Sequence, residues 1–314
     1  MQSEVGINVI ATGRALPKNK ITNFHMEKIV DTSDEWIYTR TGIKSRYKCV
    51  EETCNTLAVE AANIALKKSG INKDEIGIII TATSSGDYVF PSVSAMIQSE
   101  LEIDSNVNCF DLSSACTGFI YALSVAKSML TFAEKKYALV VGSEQMSRLL
   151  DYEDRSTCVL FGDGAAALII ELNDKVFIQD GVTLGNKEVL SMGNINSGNN
   201  NHITMKGQDV YKFAVNAVSD IIERLLKKKN MTMDDIDLVV CHQANSRIID
   251  SVKRRFKGHE DKFFMNIENY GNTSAASIPI ALSELDDMGK LKGKRCIIAG
   301  FGAGLNYSGI LVEL

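Results

Sequence analysis

Apolar residues recur at helical spacing from Phe119 to Leu130, with Phe119, Ala122, Leu123, Ala126 and Leu130 on one face. Four small residues, Ser113 to Cys116, come just before them, so the pattern predicts a helix entered through a small-residue loop. A second pattern recurs later in the chain. "ALKKSGINKDEIGIII" (65–80) aligns without gaps on "LLKKKNMTMDDIDLVV" (225–240), and Leu66, Lys67, Lys68, Asp74 and Ile76 return as Leu226, Lys227, Lys228, Asp234 and Ile236. Each copy reads as an amphipathic helix ending in lysines, an acidic turn, and a short apolar strand of the buried kind. The lysines suit the negative end of the helix. Both copies then continue with a small-residue loop, a helix, and a strand ending in glycine. These are "SSACTG", "FIYALSVAKSML" and "YALVVG" in the first copy, and "GNTSAAS", "IPIALSELDDMG" and "CIIAG" in the second. Helices alternating with buried strands predict α/β layers. The duplication predicts two similar halves, 1–172 and 173–314, packed face to face.

Composition narrows the function. A chain of 314 residues with 45% hydrophobic content can bury a large core. The net charge of -5 speaks against a bulk nucleic-acid binder. No apolar run approaches the ~18 residues of a membrane-spanning helix, and no signal-peptide pattern opens the chain. Seven cysteines at irregular spacing, with no C-x-x-C, point to free thiols in a reducing, cytoplasmic setting. One segment, 191–202, is rich in Asn, Gly and Ser and reads as a long loop.

Few residues are equipped for chemistry. There are four histidines and no cluster with zinc-ligand spacing, so no metal site is expected. Cys241 and His242 are adjacent on a strand and point to opposite faces, which makes them poor joint ligands. "GFGAGLNYSG" (300–309) has Gly302 and Gly304 but is followed by a strand, so the dinucleotide-binding context is absent. It reads as a tight turn between strands, or as a turn whose amides face a ligand. In "FGDGAAALII", Asp163-Gly164 most simply makes a hairpin turn.

Cys116 lies in or just before the first turn of its helix. The helix N-terminus contributes roughly 0.3–1 kcal/mol, so it lowers a thiol pKa near 8.5 by about one unit at most. His242 is the best candidate for a basic partner. Read in isolation, a cysteine here is more often a plain small buried residue than a nucleophile. Asn272 in "YGNTS" reads as a turn former, His242 as a core histidine, and Trp36 as a packing residue.

Taken together, "DTSDEWIYTRTGI", "SSACTGF", "FGDGAAA", "CHQAN" and "GNTSAAS" resemble the β-ketoacyl-[acyl carrier protein] synthase III family, initiating condensing enzymes of fatty acid synthesis. The resemblance runs from about Gly13 to Gly309. It implies the thiolase fold, a duplicated αβαβα sandwich, in agreement with the repeat. It also implies a catalytic triad of Cys116, His242 and Asn272. Cys116 would attack a short acyl-CoA; His242 and Asn272 would donate to the enolate left when malonyl-[acyl carrier protein] loses carbon dioxide. The Cys116 and Ala303 amides would form the oxyanion hole. Coenzyme A contacts transfer to Thr32, Trp36, Arg40, Arg155, Gln208 and Asn245, and acyl-pocket aromatics to Phe90 and Phe301. An aromatic plane and a guanidinium can sandwich an adenine.

The segment "ANSRIIDSVKRRFK" is amphipathic: Ile248, Ile249, Val252 and Phe256 form an inner face, and Arg247, Arg254 and Arg255 an outer one. A basic stripe on an acidic chain suits an acidic carrier protein, with Lys212 added by the resemblance. The family is homodimeric and uses acyl-CoA as a substrate, with no resident cofactor. This chain departs from the family's pattern in reading "GAG" for "GGG", in "LNYSG" after it, in Gln208 where asparagine is frequent, and in 194–201. Alanine at 303 keeps its amide, so the oxyanion hole survives if its φ is negative. The departures leave open a related acyltransferase or condensing enzyme of specialised metabolism. A non-catalytic acyl-binding protein stands behind both.

Overall fold

A computed structural model describes residues 5–193 and 202–314. Its framework is two five-stranded sheets. The first is built from β1 (Gly6–Ala15), β4 (Ile76–Ala82), β5 (Asn108–Leu112), β6 (Tyr137–Glu144) and β7 (Gly164–Asn173), in the order β1-β7-β6-β4-β5. The second uses β8 (Phe177–Asn186), β11 (Leu238–Cys241), β12 (Phe263–Phe264), β13 (Arg295–Gly302) and β14 (Gly304–Glu313), in the order β12-β11-β13-β14-β8. Read from opposite ends, the two orders match strand for strand. Between the sheet strands lie two short pairs: β2 (Lys20–Thr22) with β3 (Ser45–Tyr47), and β9 (Leu190–Ser191) with β10 (Thr204–Met205).

Helices α1 (Asn23–Met26), α2 (Asp34–Thr41), α3 (Cys54–Ser69), α4 (Val93–Glu100) and α5 (Gly118–Leu130) belong to the first part of the chain. α6 (Gly207–Lys229), α7 (Ser246–Lys253), α8 (Ile267–Tyr270) and α9 (Ser277–Asp287) follow. The core divides by layer. Ile78 and Ile80 of β4, Phe119 and Leu123 of α5, Ile278 and Leu282 of α9, and Val240 and Ile298 of the second sheet share one apolar cluster, so α5 and α9 form the central layer. α3 and α4 cover the outer face of the first sheet, and α6 and α7 that of the second. The result is the αβαβα sandwich. β4 is buried at all seven positions, as expected for a parallel strand covered on both faces.

Local sequence explains the ends of the repeated unit. Thr53 caps α3 through a reciprocal capping box with Thr56, and α3 stops at Gly70 in the left-handed region, φ 74 being that of the comparable Gly42 after α2 and φ 65 that of Gly70 itself. α6 stops at Asn230, φ 51, the residue type next most tolerant of that conformation. The acidic turns are 310 turns, Lys73–Glu75 and Met233–Asp235.

The hairpin expected at Asp163-Gly164 is not there. Gly164 opens β7, while Asp163 is fully buried and accepts from the Cys49 amide (2.8 Å), the Ser147 amide (2.8 Å) and Ser147 Oγ (2.6 Å). A buried carboxylate must be satisfied by donors, and these come from segments far away in sequence. "GFGAG" is the tight turn between strands, joining β13 to β14. Ser191 ends β9 and His202 precedes β10, while the atypical 194–201 lies outside the described residues. Among the described residues no helix is long and apolar enough to cross a membrane.

Candidate active site

The two small-residue loops close the central layer from opposite sides. Each is a 310 turn leading into a helix: Ala115–Thr117 into α5, and Ser274–Ala276 into α9. In both, the first residue of the turn has positive φ, 46 for Ala115 and 48 for Ser274. Cys116 sits in the first of them and its thiol reaches Ser274 Oγ of the second at 3.5 Å. β13 packs against the cysteine turn through Gly302, where a Cβ would stand 3.0 Å from the Cys116 nitrogen and crowd the turn. Ala303, the next residue, is not among the described non-glycine residues with positive φ, so its amide keeps an ordinary orientation.

Register places His242 immediately after β11, with its amide on the Ala299 carbonyl at 2.8 Å. Its Nδ1 lies 2.6 Å from Ser277 Oγ, at the start of α9. That oxygen also accepts the Gln243 amide at 3.4 Å; in the tautomer in which the Ser277 hydroxyl donates to Nδ1, Nε2 carries the proton. Phe301 packs edge-on against the imidazole, with centroids 5.5 Å apart. Asn272 is fixed by its backbone: its amide donates to the Leu160 carbonyl (2.8 Å), and its carbonyl accepts from Gly162 (3.0 Å). The "FGDG" segment is therefore the scaffold of Asn272. The Asn272 side-chain oxygen accepts the Ser274 amide at 2.9 Å, which leaves its NH2 as the free end.

Cys116, His242, Asn272, Phe301 and Ala303 line one cavity of about 820 Å³. Its electrostatics differ from the sequence expectation. Burial pushes the Cys116 thiol up to about 12, and desolvation outweighs the helix N-terminus, which is offset by one 310 turn from the cysteine. Burial also lowers His242 to about 3, so the imidazole is neutral and supplies no positive charge to the thiol. The pair is a neutral thiol and a neutral donor.

Comparison with known proteins identifies the family. The C-terminal model of 3-oxoacyl-[acyl-carrier-protein] synthase III matches residues 226–314, and the companion synthase III model matches residues 110–184. The beta-ketoacyl-[acyl-carrier-protein] synthase III of Clostridium novyi (strain NT) is 41% identical over 98% of each chain. The solved 3-oxoacyl-[acyl-carrier-protein] synthase III from Aquifex aeolicus VF5 superposes with a TM-score of 0.93 at 41% identity, covering 98% of this chain and all of that one. The chain belongs to the synthase III family. A priming β-ketosynthase from the R1128 polyketide biosynthetic pathway is also similar, with a TM-score of 0.91 and 32% identity over the whole of this chain and 98% of that one.

The remaining synthase III positions fall into three groups. Trp36, Arg40, Gln208, Asn245, Lys212 and Arg247 line the same cavity as the triad. The Trp36 ring lies between cations, with the Arg40 guanidinium 4.6 Å and that of Arg155 5.2 Å from its centroid. Arg155 also bonds the Asp31 carbonyl at 2.9 Å, so it sits at the rim without lining the cavity. Thr32 is likewise outside the lining, and its hydroxyl is buried with no partner. Asn245 caps α7 through Oδ1 and donates to the Arg40 carbonyl at 2.9 Å. Both ends of its amide join α7 to α2.

Phe90 is a correction. The single chain does not bring it to the acyl pocket: it is 84% exposed beside Val89, 96% exposed, on the segment before α4. Arg254 and Arg255 are exposed and bond Ser251 and Asn216, with no acidic partner among the described residues, while Ile248, Ile249, Val252 and Phe256 are buried beneath them.

Sequence reading missed three polar residues of the site. Ser277 orients the histidine, Ser274 touches the thiol, and Asn306 braces the turns. Asn306 accepts Thr117 Oγ1 (2.8 Å) and donates to Ser114 Oγ (3.2 Å) and the Ala303 carbonyl (3.0 Å). The repeat held the signal for Ser274, which falls where the first copy has Ala115.

Proposed function

We propose that this chain condenses a short acyl-CoA with malonyl-[acyl carrier protein], giving 3-ketoacyl-[acyl carrier protein], CoA and carbon dioxide. The observation that carries the reading is the meeting of Cys116 with two neutral, pre-aimed donors in one cavity. In the first half-reaction Cys116 sulfur adds to the acyl-CoA carbonyl, and CoA leaves with the thiol proton. In the second, malonyl thioester loses carbon dioxide, and the electron pair of the broken bond forms an enolate. His242 Nε2–H and the Asn272 NH2 donate to the enolate oxygen. Neutral donors suit this step, because a protonated imidazole would tend to quench the carbanion. The carbanion attacks the acyl-Cys116 carbonyl, whose oxyanion is held by the Cys116 and Ala303 amides. Collapse expels the Cys116 sulfur as a thiolate, which takes a proton from solvent to restore the thiol. No step is routed through a metal or resident cofactor.

Trp36, Arg40, Arg155, Thr32, Gln208 and Asn245 are read as the coenzyme A contacts, with Trp36 and Arg155 facing opposite sides of the adenine after the arginine swings off the ring. Lys212, Arg247, Arg254 and Arg255 are read as the carrier-protein surface. The protein is read as a homodimer in which exposed Phe90 meets the partner subunit. It is placed in the cytoplasm, where its seven free thiols stay reduced. Its halves are taken as 1–172 and 173–314. A related enzyme priming a specialised pathway is the second reading, favoured by the similarity to the polyketide priming enzyme and by "LNYSG".

The test uses purified protein, labelled short acyl-CoAs and malonyl-carrier protein. The first reading expects a 3-ketoacyl product and ping-pong kinetics. Acyl-enzyme without condensation would favour the second. Neither product nor acyl-enzyme would sink both.

A further inference from the structure

Glu144 ends β6 with no solvent exposure, and none of the chemistry above uses it. Its carboxylate is surrounded by donors of fixed direction. The Ser84 amide donates to Oε2 at 3.1 Å, and Thr83 Oγ1 reaches the same oxygen at 3.4 Å. Ser85 Oγ accepts the Gln145 amide at 2.8 Å, so its own proton goes to Oε2. Oε1 is less heavily engaged: it accepts the Ala275 amide at 3.4 Å. Ser274, the residue before Ala275, neighbours this carboxylate and its hydroxyl favours the ionised form. Ser274 Oγ in turn lies 3.5 Å from the Cys116 sulfur, as acceptor of the thiol proton. Thiol, hydroxyl and carboxylate thus lie in succession where the two small-residue turns meet.

We propose that Glu144 is the base that takes the Cys116 thiol proton during acyl loading, with the Ser274 hydroxyl as the relay. The Cys116 S–H bond breaks as sulfur bonds the acyl carbonyl carbon. Ser274 Oγ takes that proton and passes its own to Glu144. When the CoA–carbonyl bond breaks, the proton returns along the same path to the CoA sulfur. Atoms and charge balance with no outside reactant. The transfer is concerted with attack, so no free thiolate accumulates, consistent with a thiol raised by burial. Burial also raises Glu144, which makes its carboxylate a stronger base than an exposed one. His242 is the poorer base: desolvation lowers it to about 3, and Ser277 engages its Nδ1. The other titratable groups around Glu144 are the Cys116 thiol and the Cys54 thiol of α3, the latter also pushed up to about 12. The Arg148–Asp87 pair lies beyond Ser85, whose carbonyl Arg148 binds.

The experiment measures the burst of CoA released from short acyl-CoAs in the absence of malonyl-carrier protein, as a function of pH. CoA affinity is read in parallel from the fluorescence of Trp36, the single tryptophan. Two variants are compared, Glu144→Gln and Ser274→Gly, the second chosen because glycine adopts the positive φ of that position freely. The wild type should show a rate that levels off with rising pH. Each variant should load about 100-fold more slowly, with a rate that climbs about tenfold per pH unit and no plateau, at unchanged CoA affinity. Wild-type-like loading by Ser274→Gly, or a retained plateau in Glu144→Gln, overturns the relay. If Glu144→Gln loses CoA binding through misfolding, Ser274→Gly decides alone. The inference rests on acyl-Cys116 chemistry, and the controls separate the two. A wild type with no burst counts against that chemistry, whereas a wild-type burst matched by both variants counts against the relay only.

Discussion

The two halves of the molecule share a backbone and divide the chemistry. Their turns have the same length, the same 310 form and the same positive φ at the first residue. Their side chains do not correspond. Aligned on that residue, Cys116 falls opposite Ala275, and Asn272 opposite Ser113. The strand registers put His242 where the first half has Ala82, and Glu144 where the second has Gly302. Duplication supplied two identical mouths facing each other. In the proposed mechanism each keeps groups the other lacks, so that the thiol and the proposed enolate donors meet across the interface. Backbone similarity here reports on packing, and its polar mismatches report on the site.

The comparison can be broken most severely at the donors. His242→Ala copies the first half's Ala82, and Asn272→Ala removes the amide. Each should slow condensation by about 10²–10³-fold, or ~3–4 kcal/mol, while sparing acyl loading. Equal loss of both half-reactions would refute the division of labour; rapid-quench assays of each half-reaction decide.

The next effect is in stability against pH. Burial lowers His242 in the folded state from 6.5 to about 3, so the unfolded chain binds the extra proton between those values. Stability from this group is complete above about 6.5 and falls as pH drops toward about 3, at up to ~1.4 kcal/mol per pH unit. Denaturant midpoints of the wild type should decline more steeply through that window than those of His242→Ala. Parallel curves would mean that the imidazole is not held neutral.

The smallest effect sharpens the comparison at its tightest packing point. Gly142 and Gly300 are equivalent in the two sheets. A Cβ at Gly142 would stand 2.7 Å from the Ala275 carbonyl oxygen, whereas at Gly300 the nearest atom is the Ile120 Cδ1 tip at 3.1 Å. Backbone cannot give way as a methyl tip can. Gly142→Ala should cost ~2–3 kcal/mol and Gly300→Ala ~1 kcal/mol or less, read from chemical denaturation. Equal losses would show that the two interfaces are packed alike.

Much of the fold was legible because it rests on local periodicity. The helical face from Phe119 to Leu130 and the repeated helix–turn–strand unit needed only neighbours in sequence. The reading failed where the deciding partner was distant. Asp163 reads as a turn former until its donors at Cys49 and Ser147 are known. Cys116 reads as activated by its helix until the opposite half covers it and desolvation dominates. Phe90 matches a pocket residue by motif, yet no pattern within one chain says which cavity it would enter. Ser277 carries no motif of its own, because its role depends on where the preceding strand leaves His242.

The bracing by Asn306 has an evolutionary consequence. One side chain joins Thr117 and Ser114 beside the nucleophile to the carbonyl of Ala303 in the β13–β14 turn. The loops that carry the two amides proposed for the oxyanion hole therefore cannot drift independently. A substitution at any of these positions changes the background in which the others are selected, so viable sequences should move through them in linked sets. The "LNYSG" turn is then one self-consistent solution, in which Asn306 and its two hydroxyl partners act as a unit.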